Sequence, residues 1–334
     1  MSDLFRLERE TALHAVRVAS RACRSVQKSI SPETIAKQDK SPVTVADFAS
    51  QAIVCKIIGD AFPQDAIVGE EDSTELRTQE HASQLERVHR EVELTGVKGK
   101  PADICSWIDR GNSTGGVERF WTLDPIDGTK GFLRGEQYAI SLALIVNGKI
   151  EVSVLACPNL PATDSEDKSV GALFSAIRGF GAQLWSLDDV HAAPQAVRVS
   201  GTARGSLARF CESVESGHNA QDVTGKIREL LGSNAPPSRL DSQAKYGVVA
   251  RGEADLYLRM PTKATYSEKI WDHAGGVLIV EEAGGRVTDM HGLPLDFTQG
   301  SELTKNRGVV VTNGLLHGEV LAAIATAMNA GPNR

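Results

Sequence analysis

The chain is short of cysteine, of long apolar runs and of surplus positive charge, and each shortage closes off a class of function. Its five cysteines, Cys23, Cys55, Cys105, Cys157 and Cys211, are scattered with no paired spacing. An odd, dispersed set is no disulfide framework and reads as reduced, buried thiols in an intracellular protein. No apolar run approaches the length of a membrane span. The first residues, Met1-Ser2-Asp3-Leu4-Phe5-Arg6, lack the charged-then-apolar layout of a secretory leader, so the expected place is the cytoplasm. Lys and Arg number 36 against 43 Asp and Glu, which leaves no basic excess for a nucleic-acid surface. An anionic small ligand stays open, because local cations and metals can outvote the net charge. Internal repeats, low-complexity linkers, Walker loops and His-x-x-x-His zinc pairs are all missing. Gly111-Asn112-Ser113-Thr114-Gly115 has serine-hydrolase spacing but neither a strong strand before it nor an apolar helix after it.

What is present is a mixed order of helices and strands over 334 residues, enough for one large or two ordinary domains. Apolar residues at helical spacing predict helices over 4–28 and 45–58. A short strand at 66–68 runs into Gly69-Glu70-Glu71. Residues 72–119 are charged and Gly-dotted, and read as a surface elaboration. Alternation on either side of Asn147-Gly148 predicts a hairpin over 138–157, and a second is expected over 173–187. Strands at 207–211, 256–258 and 309–312 alternate with helices at 222–231, 242–251, 271–283 and 315–328. This order predicts layered α/β or α+β sheets rather than one doubly wound sheet. The expected division lies at the polar stretch after Cys157, giving units 1–157 and 158–334.

The densest signal is Trp121-Thr122-Leu123-Asp124-Pro125-Ile126-Asp127-Gly128-Thr129. Two aspartates three apart close a β-type run, and carboxylates so placed repel each other unless a cation intervenes. A hard divalent ion with oxygen ligands is the natural occupant; the plainer alternative is a turn capped by two acids. Three further segments bring acids to strand and helix junctions: Asp47 early in a helix, Glu70-Glu71 ending a strand, and Asp272 opening a helix. Each alone also reads as a helix-dipole partner or a solvated strand end.

Gly69-Glu70-Glu71, Asp124-Pro125-Ile126-Asp127-Gly128-Thr129 and Trp271-Asp272-His273-Ala274-Gly275-Gly276 resemble the three signature motifs of the inositol monophosphatase superfamily, a group of magnesium-dependent, lithium-sensitive phosphomonoesterases. Lys130 to Tyr138 and Leu240-Asp241-Ser242-Gln243-Ala244-Lys245-Tyr246 are similar to the 3'(2'),5'-bisphosphate nucleotidase branch. The resemblance spans about Lys37 to Asn313. It implies an α+β fold, the layered αβαβα sandwich with two sheets and helices between and outside them. It makes Glu70, Asp124, Asp127, Asp272 and the Ile126 carbonyl ligands for two or three Mg²⁺ ions. It makes Asp47 and Thr129 the catalytic, proton-accepting pair. Gly128, Thr129, His218, Ser242, Lys245, Arg259 and Asp272 become the substrate contacts, with Tyr246 or another ring free to stack on adenine.

The implied reaction releases the 3'-phosphate of 3'-phosphoadenosine 5'-phosphate, leaving AMP, with possible action on the 5'-phosphosulfate analogue. Such hydrolysis is very slow in water, and catalysis is mainly positioning and charge neutralisation. The implied partner is a small nucleotide bisphosphate, without nucleic acid, membrane or a second subunit. An inositol polyphosphate 1-phosphatase or a sugar bisphosphatase would use the same acids on another substrate. A non-catalytic phosphonucleotide sensor is the alternative of a different class. Taken without the resemblance, Thr129 also reads as an N-cap, Lys245 and Arg259 as surface charge, and His218 as a loop residue.

Overall fold

Three apolar cores, each filled from helices packed on one or both of two sheets, define the architecture. The computed structural model describes residues 4–30, 41–162, 170–214, 221–261, 263 and 265–329. Helix α1 spans Arg6–Lys28 and α2 spans Ser41–Ala61. They pack as a pair against one face of a seven-stranded sheet. Strands β1 (Ala66–Gly69), β2 (Arg119–Asp127), β3 (Ala139–Val146), β4 (Lys149–Pro161), β5 (Val170–Ile177), β6 (Ala182–Ser186) and β7 (Gln195–Ala196) follow one another across that sheet in chain order. Only the β1–β2 contact is parallel. The sheet includes strands on both sides of position 157.

A five-stranded sheet lies beyond it. It contains β8 (Phe210–Glu212), β9 (Ser238–Arg239), β10 (Leu256–Arg259), β11 (Arg286–Thr288) and β12 (Val309–Thr312), in the order β11-β12-β10-β8-β9. Further helices are α3 (Ala82–Leu94), α4 (Pro101–Ile108), α5 (Thr129–Leu133), α6 (Gln221–Leu231), α7 (Ala244–Ala250), α8 (Trp271–Glu282) and α9 (His317–Asn329). The second core joins α7 and α8 to residues of both sheets, including Phe174, Tyr257 and Val311. The third packs α6 and α9 on the outer face of the smaller sheet. The layers therefore run α, β, α, β, α, as the resemblance implies.

Helix α8 is apolar almost all round, which is what a helix between two sheets requires; Val277 to Val280 are all buried. Helix α2 packs against α1, α3 and α4 and is longer than its apolar run over 45–58. Residues 72–119 are the clearest departure from expectation. They form α3, α4 and short 3₁₀ turns, and they bury Val88, Val92, Ile104 and Ile108 completely. They are part of the first core, and their sparse apolar positions suffice because α2 supplies the rest.

The β3–β4 hairpin closes through Asn147 (φ 51°) and Gly148 (φ 73°), the left-handed pair that a type I′ turn needs. All five cysteines are free and buried. No helix among the described residues is long and apolar enough to cross a membrane.

Candidate active site

Strand β2 does the first part of the work. In a regular strand, residues three apart face opposite sides. Here Asp124 pairs with Ser141 while Asp127 pairs with Ala139, so β2 carries one residue more than β3 between them. That bulge changes the side-chain parity and turns both aspartates toward one cavity. Pro125, which cannot donate to the ladder, sits within it, and its carbonyl accepts from Ser50 Oγ of α2 at 2.9 Å. Gly128 then takes φ 92° and occupies the N-cap of α5, so Thr129 is the first helical residue rather than the cap.

The parallel partner β1 delivers Glu70 to the same place. Its turn is clamped by Gln51, whose Oε1 accepts from the Glu71 N–H at 3.0 Å. Gln51 Nε2 also donates to the Glu71 and Ile108 carbonyls. The first turn of α8 brings Asp272 from the other side. Glu70, Asp124, Ile126, Asp127, Gly128, Thr129 and Asp272 thus line one cavity of about 460 Å³, with Lys130, Ser213, Asp241, Ser242, Lys245, Tyr257, Arg259 and Tyr266 on its remaining walls. The volume suits a small ligand. The four acids of the motifs converge as the sequence predicts.

Their electrostatics show the strain of that convergence. Burial first, then the charges of Glu70, Asp127 and Asp272, push Asp124 well above the usual carboxylate range. Glu70 stands open to solvent at the rim, yet lost hydration in the crowded mouth, then Asp272, Glu71 and Asp127, raise it to about 8. Asp272 is raised by burial and by Asp127, against the opposing pull of Arg259. Asp47 is also raised, by burial and then by Glu71 and Glu70. It is buried in α2 and is not among the residues that line the cavity, and no hydrogen bond among the described residues joins it to Thr129. Asp124 Oδ1 is buried without a hydrogen-bond partner. An orphaned carboxylate oxygen among mutually repelling acids fits a hard divalent cation.

The opposite wall is cationic. Lys245 is buried, its ammonium lowered by that burial. Its Nζ donates to the carbonyls of Leu240 (3.1 Å) and Ser242 (2.8 Å) and lies 5.0 Å from the Tyr257 ring centroid. Arg259 Nε meets Glu268 Oε2 at 2.8 Å and its Nη2 meets Asp272 Oδ2 at 3.0 Å. Neither cation is surface charge. Glu268, Asp272 and His273 also place ligand atoms within 4.8 Å of one another, with the Arg259 guanidinium ion-paired to both acids. Asp241 is ion-paired with Arg134. Ser242 holds φ 67°, a left-handed conformation uncommon outside glycine.

One expectation changes, and another falls where the structure gives no description. Tyr246 is buried, with its hydroxyl 2.8 Å from His273 Nδ1, so it cannot stack on a ligand; Tyr257 and Tyr266 are the rings that line the cavity. His218 lies outside the described residues. Gln51 and Glu268 organise the site without any local motif to mark them, and Gln243 does so from within the 240–246 stretch.

The inositol monophosphatase family model matches residues 7–329, and the chain belongs to that family. Within it, the chain is similar to several proteins named 3'(2'),5'-bisphosphate nucleotidase. The 3'(2'),5'-bisphosphate nucleotidase of Schizosaccharomyces pombe is 45% identical over 347 residues, covering 98% of each chain. That of Oryza sativa is 46% identical over 340 residues, covering 96% of this chain and 94% of its own. Among solved structures, an inositol monophosphatase from Zymomonas mobilis superimposes with a TM-score of 0.63 at 18% identity, covering 97% of this chain and 99% of its own. One from Anabaena (Nostoc) sp. PCC 7120 gives 0.60 at 22%, covering 96% of each. These structures share the fold.

Proposed function

We propose that this chain releases the 3'-phosphate of 3'-phosphoadenosine 5'-phosphate to give AMP, and acts on 3'-phosphoadenosine 5'-phosphosulfate as well. In this reading it works as a cytoplasmic monomer with two or three Mg²⁺ ions and a small nucleotide as its only partner. The observation that carries the proposal is the cavity itself, acidic on the β1, β2 and α8 side and cationic at Lys245 and Arg259. A ligand with two phosphates matches that division: one goes to the acids with their cations, the other to the lysine and arginine. The names of the relatives support the same substrate.

Glu70, Asp124, Asp127, Asp272 and the Ile126 carbonyl would hold Mg²⁺, as is typical of the family. When bound, the cations neutralise phosphate charge and make a water more acidic. Thr129 Oγ1, on the cavity wall, orients the attacking water, and Asp47 accepts the proton that passes through that hydroxyl. The raised position of Asp47 brings it nearer the working pH of a base. Catalytic hydrogen bonds are commonly loose before substrate binds, which accommodates the unjoined Asp47 and Thr129. Lys245 and Arg259 grip the phosphate that remains, with Ser242, Gly128 and His218 completing the substrate contacts.

The test is magnesium-dependent phosphate release from 3'-phosphoadenosine 5'-phosphate and inositol 1,4-bisphosphate side by side. The nucleotide should have the higher kcat/KM, and Li⁺ should inhibit. A preference for the inositol compound would move the substrate. Binding of the nucleotide with no release from either compound would make the protein a sensor.

A further inference from the structure

We propose that Gln243 is a positioning residue that ties the nucleotide loop to three of the acids, so that cation and nucleotide bind as one unit. This rests on the reading of the cavity as a Mg²⁺ and nucleotide site. Gln243 is 2% exposed and makes three hydrogen bonds to three different segments. Its backbone N–H donates to Asp127 Oδ2 at 2.5 Å. Its side-chain Oε1 accepts from Ser141 Oγ at 2.9 Å. Its Nε2 donates to the Trp271 carbonyl at 3.0 Å. A carbonyl can only accept, so the amide nitrogen must face Trp271 and the amide oxygen Ser141.

Each anchor leads to a different acid. Asp127 is held directly. Ser141 is the cross-strand partner of Asp124 in the β2–β3 ladder. Trp271 immediately precedes Asp272 on α8. Bonds of this kind orient ligating carboxylates and are worth roughly 10- to 100-fold in metal affinity.

The same short peptide forms the nucleotide wall. Ser242, one residue earlier, lines the cavity in its left-handed conformation. Lys245, two residues later, binds the Leu240 and Ser242 carbonyls from below. A Cβ on Gly128 would lie 2.9 Å from Ser242 Cβ, so the loop rests directly on the turn after Asp127. A nucleotide that orders this loop orders the acids through Gln243, and the effect must be reciprocal.

The test uses the full chain, with Mg²⁺ affinity from thermal shift and AMP affinity from calorimetry, each with and without the other ligand. In the unaltered protein AMP should tighten Mg²⁺ binding, and Mg²⁺ should tighten AMP binding by the same factor. Gln243→Leu keeps the backbone N–H to Asp127 but removes the ties to Ser141 and Trp271; it should weaken Mg²⁺ binding about tenfold and lower the coupling factor, a change that a merely structural role would not produce. Unaltered Mg²⁺ affinity and unaltered coupling in the folded variant would overturn the proposal. Should Gln243→Leu not fold, Ser141→Ala removes one anchor alone; it should cost roughly fivefold in Mg²⁺ affinity, the size of one net hydrogen bond, and no loss would overturn the proposal. Both readouts are binding. A protein that shows the coupling but releases no phosphate therefore refutes the catalytic reading and leaves Gln243 in place, whereas one that binds neither Mg²⁺ nor AMP overturns both.

Discussion

Glu268 braces Arg259 from behind: its Oε2 lies 2.8 Å from Arg259 Nε, while Arg259 Nη2 reaches forward to Asp272 at 3.0 Å. The brace continues inward. His273 Nε2 meets the same Glu268 oxygen at 3.2 Å, and Tyr246 O–H meets His273 Nδ1 at 2.8 Å. Burial would raise Glu268, but the bonds from His273 and Arg259 outweigh it and hold the acid below its ordinary range. An ionised carboxylate only accepts, so His273 donates to it through Nε2.

Glu268→Ala should therefore do two things. It leaves a guanidinium among few partners and should destabilise the fold by ~3 kcal/mol, measured by urea unfolding. It should also raise KM for the bisphosphate more than it lowers kcat, because Arg259 is proposed to grip the phosphate that stays. An unchanged KM in a folded variant would show that Arg259 needs no brace.

Asp127→Asn should lose at least ~100-fold in kcat, in keeping with the loss of a ligand at a metal site. Stability should not suffer without Mg²⁺, since one charge leaves a cluster in which Asp124, Glu70 and Asp272 all feel Asp127 as a repulsive neighbour. Steady-state turnover and circular dichroism together check the outcome; near-normal turnover would count against Asp127 as a ligand.

The raised acids set a pH dependence for the metal-free protein. Glu70 releases its proton near 4.5 when unfolded and near about 8 when folded; Asp124 and Asp272 move in the same direction. Between those limits the folded form binds more protons, so stability falls as pH rises. Thermal denaturation in chelator should show Tm dropping from about pH 5 to about pH 8, and saturating Mg²⁺ should flatten that slope. Parallel slopes with and without Mg²⁺ would place the cation elsewhere.

Gly275→Ala tests the packing beneath the site. A Cβ there would overlap Ser141 Oγ, the hydroxyl that donates to Gln243. Overpacking in a full core costs about 1–3 kcal/mol, so Tm should fall. Mg²⁺ affinity should fall with it, by a route that touches none of the acids directly. A variant with native Tm and native affinity would mean that α8 shifts freely against β3.

How much of this was legible beforehand follows the range of the interactions. The acids stand out because Asp124, Asp127, Glu70 and Asp272 each mark a junction where an apolar run stops, and a junction is a local pattern. The apolar centre of α8 is legible for the same reason. Gln51, Gln243 and Glu268 carry no such mark. Gln51 acts on Glu71 across 20 residues and Gln243 on Asp127 across 116, so their meaning exists only once the layers assemble. Tyr246 misleads in the opposite sense: beside Lys245 it reads as a ring for a base, but the space between the sheets takes it into the core, where it meets Tyr257 edge-on at 5.5 Å. The helices of 72–119 were hidden because Val88 and Val92 are isolated among charges, and only the surface of α2 turns them into a core face.

The extra residue in β2 has a consequence for chains of this kind. Spelling both aspartates is not enough, because their common direction depends on the number of residues between them as much as on their identity. Removing Ile126 would leave Asp124 and the former Asp127 two apart, on one face of a regular strand, and would take away both the bulge and the Ile126 carbonyl proposed as a cation ligand. Relatives can thus be compared by length at this point as well as by letter, and a one-residue gap there would mark a strand without the bulge, and so a differently built centre, even where every acid survives.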